Sequence, residues 1–120
     1  MENLILEPTV KSPLFEFSPK GLLVIEGKAI DEETDKAFKP AIEWCRNVNT
    51  KDIYLFVKLD FMNMASMKQM HNLFMALRNN ETVNSVVVSW YFDKEDIEMY
   101  DIGKIFQEVL EEFKFQFICI

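Results

Sequence analysis

The residues with the clearest capacity for chemistry lie at Asn63–Ser66, where one residue pattern gives way to another. Apolar residues alternate over Ile53–Leu59, as in a strand, and the apolar positions between Met70 and Leu77 have helical spacing. Asn63 and Ser66 can accept hydrogen bonds from unpaired backbone N–H groups at a helix start. Such a start, placed after a parallel strand, also presents backbone donors and the positive end of the helix dipole. We therefore expect the working site here.

Acidic residues form two further clusters, at 31–35 and 93–101, that could bind a cation or perform acid–base chemistry. The second cluster lacks the glycine and the final glutamate of an EF-hand loop, and nothing places two carboxylates in a closed pocket. His71 is the only histidine and has no nucleophile motif, and the three glycines are isolated. We expect solvated helix starts, with no metal, no cofactor and no catalysis. An enzyme built on the acidic segments is the third hypothesis.

Composition restricts the partner classes. The chain has 120 residues, 49% of them hydrophobic, and a formal net charge of −7, which disfavours nonspecific binding to nucleic acid or to an anionic membrane. No apolar run reaches the roughly 18 to 20 residues of a membrane span, and the amino terminus lacks a signal-peptide pattern. We expect one cytoplasmic domain over residues 1–120. Cys45 and Cys119 should be reduced and buried, although a disulfide depends on their separation in space.

The first half of the chain predicts a hairpin followed by a helix and a strand. Leu14–Phe17 and Leu22–Glu26 flank a turn and should pair antiparallel, with Gly27 ending the second strand. Residues 1–12 read as a lead-in with Leu4 and Leu6 on the core. A helix is predicted over 36–48. Because proline fits the first helical turn, Pro40 indicates an ordered start near Phe38. Its buried stripe should be Phe38, Ile42, Cys45 and Val48.

The second half continues the strand–helix alternation. Val83–Phe92 is apolar at nearly every position, which predicts an interior strand covered on both faces. Residues 93–101 open a third helix, and Phe113–Phe117 alternates as a last strand. The expected core face of that helix comprises Ile102, Ile105, Phe106, Val109, Leu110 and Phe113. The fold class is therefore α/β, with a mixed sheet of about five strands, an N-terminal antiparallel hairpin, mainly parallel pairing elsewhere and three helices.

Methionines are dense around the central helix, at Met62, Met64, Met67, Met70 and Met75. Two interpretations are open: flexible filling of the core, or an adaptable apolar surface for a partner protein. Met64 falls in the turn, outside the apolar stripe, and is the position where partial exposure is expected.

Three segments, in this order and spacing, resemble the SiaC family of bacterial regulatory phosphoproteins, which are single-domain relatives of the STAS fold. Residues 37–44 are similar to the family's aromatic–x–Pro–x–x–x–Trp helix. Residues 61–68 are similar to its Tyr–Phe–Asn–Thr/Ser–Ser–Ser–x–Lys turn. Residues 90–99, followed by Gly103 and Phe106, resemble its Trp–Tyr–Tyr–acidic run.

The resemblance implies a STAS-like fold without catalysis, in which a hydroxyl of the turn is phosphorylated by a partner kinase and cleared by a phosphatase. The unmodified form binds a downstream partner, in some systems a diguanylate cyclase. The phosphorylated position corresponds here to Met64 and the next serine to Ala65, so that only Ser66 keeps a hydroxyl. The switch is therefore absent or moved to Ser66.

We accordingly expect a regulatory domain that binds protein partners through the strand–turn–helix at 60–70. Asn63 and Ser66 would cap the helix, Met64 and Met67 would supply apolar contact, Lys68 would add charge, and Ala65 completes the turn. The alternative is a domain that binds a small molecule or nucleotide at the same helix N-terminus. A homodimer could form through the edge of the last strand, which runs to Ile120.

Overall fold

The computed structural model describes residues 1–120 and contains six strands and three helices. The strands are β1 (Leu4–Leu6), β2 (Leu14–Phe17), β3 (Leu22–Ala29), β4 (Asp52–Met62), β5 (Ser85–Phe92) and β6 (Lys114–Cys119). The helices are α1 (Thr34–Asn47), α2 (Met64–Arg78) and α3 (Ile97–Val109). None of the helices is both long and apolar enough to cross a membrane.

The six strands form one sheet in which chain order and spatial order coincide, β1-β2-β3-β4-β5-β6. β1 with β2 and β2 with β3 are antiparallel, and all later pairs are parallel. The expected mixed α/β fold is confirmed, with six strands instead of about five. The additional strand is β1, which lies in the segment expected to be a lead-in. Leu4 and Leu6 are half-buried and pack on the core, and the three-residue strand pairs with Leu6 opposite Phe15.

All three helices cover the same face of the sheet. Parallel strands in consecutive order require right-handed crossovers that advance in one direction, which places every crossover helix on one side. Burial follows this arrangement: Ile53, Leu55 and Val57 are buried, whereas the intervening Tyr54 and Lys58 are exposed. Aromatic rings connect the helices to the sheet, with ring centroids 5.0 Å apart for Phe15–Phe38 and 5.9 Å for Phe74–Phe115.

The prediction that β5 is covered on both faces is wrong. Val86, Val88 and Trp90 are buried beneath the helices, whereas Val87 and Tyr91 are only half-buried on the opposite face. Apolar residues at successive positions do not distinguish a strand between two helix layers from a strand with one open apolar face.

Helix α1 begins at Thr34, so the prediction of an ordered start near Phe38 is wrong and Pro40 lies inside the helix. Proline removes the N–H that would bond to the carbonyl of Lys36, but both residues are exposed, where water can satisfy that carbonyl. The predicted stripe is confirmed, because Phe38, Ile42, Cys45 and Val48 are all buried.

Helix α3 begins at Ile97, later than the acidic run suggested. Its buried residues are Met99, Ile102, Gly103 and Phe106, whereas Ile105 is 54% exposed and Val109 51% exposed, so their assignment to the core face is wrong. The contact with Trp90 decides which face turns inward. The Trp90 indole N–H donates to the Met99 carbonyl at 2.9 Å, and a Cβ added at Gly103 would lie 2.6 Å from the same nitrogen.

The two cysteines are free and occupy different environments. Cys45 is buried, and burial raises the pKa of its thiol well above the ordinary value, which keeps it protonated and unreactive. Cys119 is exposed, so the prediction that both are buried is wrong for Cys119. The burial alternation of β6 stops after Gln116: Phe117 and Ile118 are half-buried, and Cys119 and Ile120 are exposed.

Candidate functional site

The site begins at an irregularity between β3 and β4. The prediction that Gly27 ends its strand is wrong, because β3 continues to Ala29 and the register with β4 shifts between Gly27 and Lys28. Gly27 has φ +123°, a conformation that favours glycine. The shift pairs Lys28 with Phe61, and the Lys28 Nζ lies 5.6 Å from the Phe61 ring centroid. Bulges of this kind redirect side chains, and here the Phe61 side chain is 58% exposed beside the helix start.

Asn63 caps helix α2, as the sequence predicts. Its Oδ1 accepts a hydrogen bond from the Ser66 backbone N–H at 2.8 Å, and its backbone is extended, with φ −82° and ψ 172°. The Asn63 backbone N–H donates to the Ala29 carbonyl at 3.1 Å, and its Nδ2 donates to the Asp31 carbonyl at 3.4 Å. Asn63 therefore joins the end of β3, the loop before α1 and the start of α2.

The other residues of the predicted binding turn divide into an exposed outer group and a buried inner group. Met64, Ala65 and Lys68 are exposed, and Met64, at 83%, is the most exposed large apolar side chain of the chain. Met67 is half-buried and packs against the core, so it reaches both environments. Met64 thus stands at the first helical position without apolar cover, which agrees with the expected partial exposure.

Ser66 lies in the inner group and is 0% exposed. Its Oγ has no hydrogen-bond partner, and only its backbone N–H takes part in the cap, so the prediction that its side chain caps the helix is wrong. The physical reason is helical geometry: Ser66 lies one turn before the buried Met70 and therefore on the buried face of α2. The single hydroxyl of the turn is not accessible in this conformation.

An acidic groove adjoins the helix start, and sequence reasoning missed it. The groove has a volume of about 520 Å³ and lies between the 60–63 segment and the start of α3. Carboxylates line it together with apolar groups; its residues are Ile30, Asp60, Phe61, Met62, Asn63, Asp93, Glu95, Asp96, Glu98, Met99 and Ile102. The groove follows from the sheet topology: β4 and β5 are parallel neighbours, so the acidic residues that follow their carboxyl ends meet at one edge of the sheet. Carboxylates repel phosphates, so the groove offers no support for the nucleotide-binding alternative.

A larger groove, of about 780 Å³, lies between α1 and α2, away from the helix start. Polar residues of both charge signs dominate its lining, including Lys36, Lys39, Glu43 and Arg46. Ligand pockets usually have an apolar lining with a few converging polar groups, and this groove has the opposite balance. No group of three or more His, Cys, Asp or Glu side chains is arranged to hold a metal ion.

Replacing Asn63 by alanine should lower the free energy of unfolding by about 1 kcal/mol, because the Ser66 N–H loses its acceptor. Urea denaturation followed by circular dichroism measures this loss. Asn72→Ala is the matched control: Asn72 lies inside α2 and bonds only to Gln69, at 3.5 Å, so alanine there should be neutral or stabilising. Equal effects of the two substitutions would contradict the capping role.

Comparison with known proteins gives one family and several similar structures. The family model described as "SiaC family regulatory phosphoprotein" matches residues 6–120. A crystal structure of apo-SiaC from Pseudomonas aeruginosa aligns with a TM-score of 0.88 at 20% identity, covering 98% of this chain and 99% of that one. A second SiaC structure from the same organism aligns with a TM-score of 0.87 at 21% identity over the full length of both chains.

A third similar structure is that of the diguanylate cyclase SiaD in complex with its activator SiaC from Pseudomonas aeruginosa. It aligns with a TM-score of 0.85 at 20% identity, covering 98% of this chain and 99% of that one. No match was found among curated protein sequences. At this identity the structures establish the shared fold, and the family model, which spans almost the whole chain, establishes membership. The chain therefore belongs to the SiaC family of regulatory phosphoproteins.

Proposed function

We propose that this chain is a non-enzymatic regulatory protein that binds partner proteins through Asn63, Met64, Ala65, Ser66, Met67 and Lys68, and that it does so without being phosphorylated. The observation that carries the proposal is the exposure of Met64, 83%, at the first position of α2. A large, flexible apolar side chain that is exposed to solvent lowers solubility and does not stabilise the fold, whereas a partner protein can bury it. Met64 occupies the position that corresponds to the family's phosphorylated hydroxyl.

The buried hydroxyl supports the unphosphorylated form. Ser66 is the only hydroxyl in the turn, and it is 0% exposed. A kinase must reach the Oγ atom, which would require the first turn of α2 to open. A phosphate carrying about −1.5 to −2 charges could not remain in that buried position. Within the six residues, Met64, Ala65 and Lys68 would contact the partner, while Asn63, Ser66 and Met67 would hold the turn in place.

The partner classes follow from the family. A SiaC from Pseudomonas aeruginosa is the activator of the diguanylate cyclase SiaD, with which it was crystallised. We infer that this chain acts in the cytoplasm, that it also binds a diguanylate cyclase, and that a serine/threonine kinase or a phosphatase that acts on SiaC-type proteins recognises the same turn. Since no hydroxyl is offered at position 64, the kinase would bind without modifying its target.

Phosphate-affinity electrophoresis with the source organism's SiaC-type kinase tests the proposal. Wild type should remain unmodified, whereas Met64→Thr should become phosphorylated, because it restores an exposed hydroxyl at the first helical position. The double variant Met64→Thr, Ser66→Ala should be modified equally well. Phosphorylation of wild type that disappears in Ser66→Ala would contradict the unphosphorylated form and place the switch at Ser66.

A further inference from the structure

One face of the sheet has no helix on it and carries an apolar stripe. The stripe lies on the two central strands and consists of Leu22 and Val24 on β3 and Tyr54 and Phe56 on β4. Leu22 is 53% exposed and Tyr54 46% exposed, and the other two are half-buried. Val87 on β5 extends the stripe beside Tyr54. Apolar residues in direct cross-strand register form a continuous patch, and monomeric proteins seldom leave such a patch in water.

Opposite charges stand side by side at one end of the stripe. Glu26 on β3 and Lys58 on β4 are register partners on the open face, two residues beyond Val24 and Phe56. Both are exposed, and neither takes part in an ion pair or side-chain hydrogen bond within the chain. The face carries further charges of both signs: Glu16 on β2 and Lys114 on β6 flank the stripe, and Asp52 on β4 lies at its other end.

The apolar stripe and the Glu26–Lys58 pair are together self-complementary about a two-fold axis. The axis runs parallel to the strands, midway between β3 and β4 and midway between the two facing sheets. Such an axis places β3 of one copy over β4 of the other at the same height. Leu22 then faces the partner's Tyr54, Val24 faces the partner's Phe56, and Glu26 faces the partner's Lys58. An in-plane axis perpendicular to the strands would instead place Leu22 over the partner's Glu26 and would bury charge against apolar surface.

We propose that the open sheet face is a homodimer interface in which two sheets pack with their strands aligned and Glu26 and Lys58 form two symmetric ion pairs between the copies. Aligned sheets pack about 10 Å apart, a distance that the long side chains of Glu26 and Lys58 can span. The face is about 24 Å across its six strands and about 26 Å along the eight-residue strands β3 and β5, an outline of roughly 600 Å², which is at the lower end of the range around about 800 Å² that stable interfaces bury per partner.

This interface leaves the helix side of each copy free. The first turn of α2 carries Met64 on the layer that covers the other face of the sheet, so a dimer could engage one partner protein on each copy. The sequence led us to expect a homodimer through the edge of β6, whereas the proposed homodimer uses the open face of the sheet. This dimer proposal does not depend on the proposed function of the turn in partner binding.

Sedimentation velocity of the full chain over a concentration series tests the proposal. Wild type should sediment as a monomer–dimer equilibrium. Tyr54→Glu should abolish the dimer, whereas Ile105→Glu, at a similarly exposed apolar residue on α3, should leave it unchanged. Glu26→Lys and Lys58→Glu should each raise the dimer dissociation constant about tenfold or more, because like charges then oppose one another twice.

The double exchange Glu26→Lys, Lys58→Glu is the decisive variant, because it should restore the wild-type dissociation constant. Melting temperatures from circular dichroism would identify any variant that fails to fold and remove it from the comparison, and the double exchange would still report on the pairing. A wild-type chain that remains monomeric at several hundred micromolar would overturn the proposal. A dimer that is insensitive to Tyr54→Glu, or that the double exchange fails to restore, would also overturn it.

Discussion

Met64→Glu is expected to weaken binding to the source organism's SiaD-type diguanylate cyclase about a hundredfold or more. A central apolar side chain at an interface commonly contributes 2 kcal/mol or more to binding, about thirtyfold, and a buried carboxylate adds a desolvation cost to that loss. Folding should be unaffected, because Met64 is 83% exposed and makes no contact that the helix needs. Isothermal titration calorimetry against the purified cyclase measures the change.

The matched control is Ile105→Glu, which places the same charge on an exposed apolar residue of α3. Its affinity for the cyclase should equal that of wild type, and both variants should keep the wild-type melting temperature. Wild-type affinity in Met64→Glu would remove Met64 from the interface. Equal losses in both variants would mean that added negative charge, and not the lost apolar contact, weakens binding.

Ser66→Asp should destabilise the fold by about 3 kcal/mol or more, because it places a carboxylate where the exposed fraction is zero. Ser66→Ala should be neutral or should raise stability by up to about 1 kcal/mol, since it removes a buried hydroxyl that has no partner. The two substitutions are expected to change stability in opposite directions for one reason: the Ser66 Oγ atom is buried away from water and has no hydrogen-bond partner. Chemical denaturation of the two variants measures both effects.

Ala65→Asp is the control for Ser66→Asp. It adds the same charge one residue earlier, where the side chain is exposed and the helix dipole favours an anion, so it should be neutral or slightly stabilising. Wild-type stability in Ser66→Asp would show that the first turn of α2 opens readily. The objection to phosphorylation at Ser66 would then fail.

The sequence predicted what depends on local chemistry. Asn63 was recognisable as the start of α2 because a cap needs only its own side chain and the N–H groups of the next turn. The buried stripe of α1 was predicted for the same reason, since helical period alone defines it. The prediction of where α1 starts was wrong because the energetic cost of Pro40 depends on whether the Lys36 carbonyl that it leaves unbonded faces water. That exposure is a property of the packed structure.

The sequence did not predict the spatial order of the strands in the sheet or the face of the sheet that the helices cover. β5 was expected between two layers, whereas consecutive right-handed crossovers leave Val87 and Tyr91 on an open face. The acidic groove required the same knowledge, because Asp60 and Asp96 come together only when β4 and β5 are known to be neighbours. The buried position of Ser66 likewise depends on how α2 rotates onto the sheet.

Hydrogen–deuterium exchange of the unmodified chain, alone and saturated with the purified cyclase, tests most directly whether the turn at 60–70 is the partner-binding surface. Backbone amides of residues 60–70 should exchange more slowly in the complex, and Met64→Glu at the same concentrations should remove that protection. Unchanged exchange over 60–70, with protection confined to another surface of a chain that binds the cyclase, would contradict the proposed site.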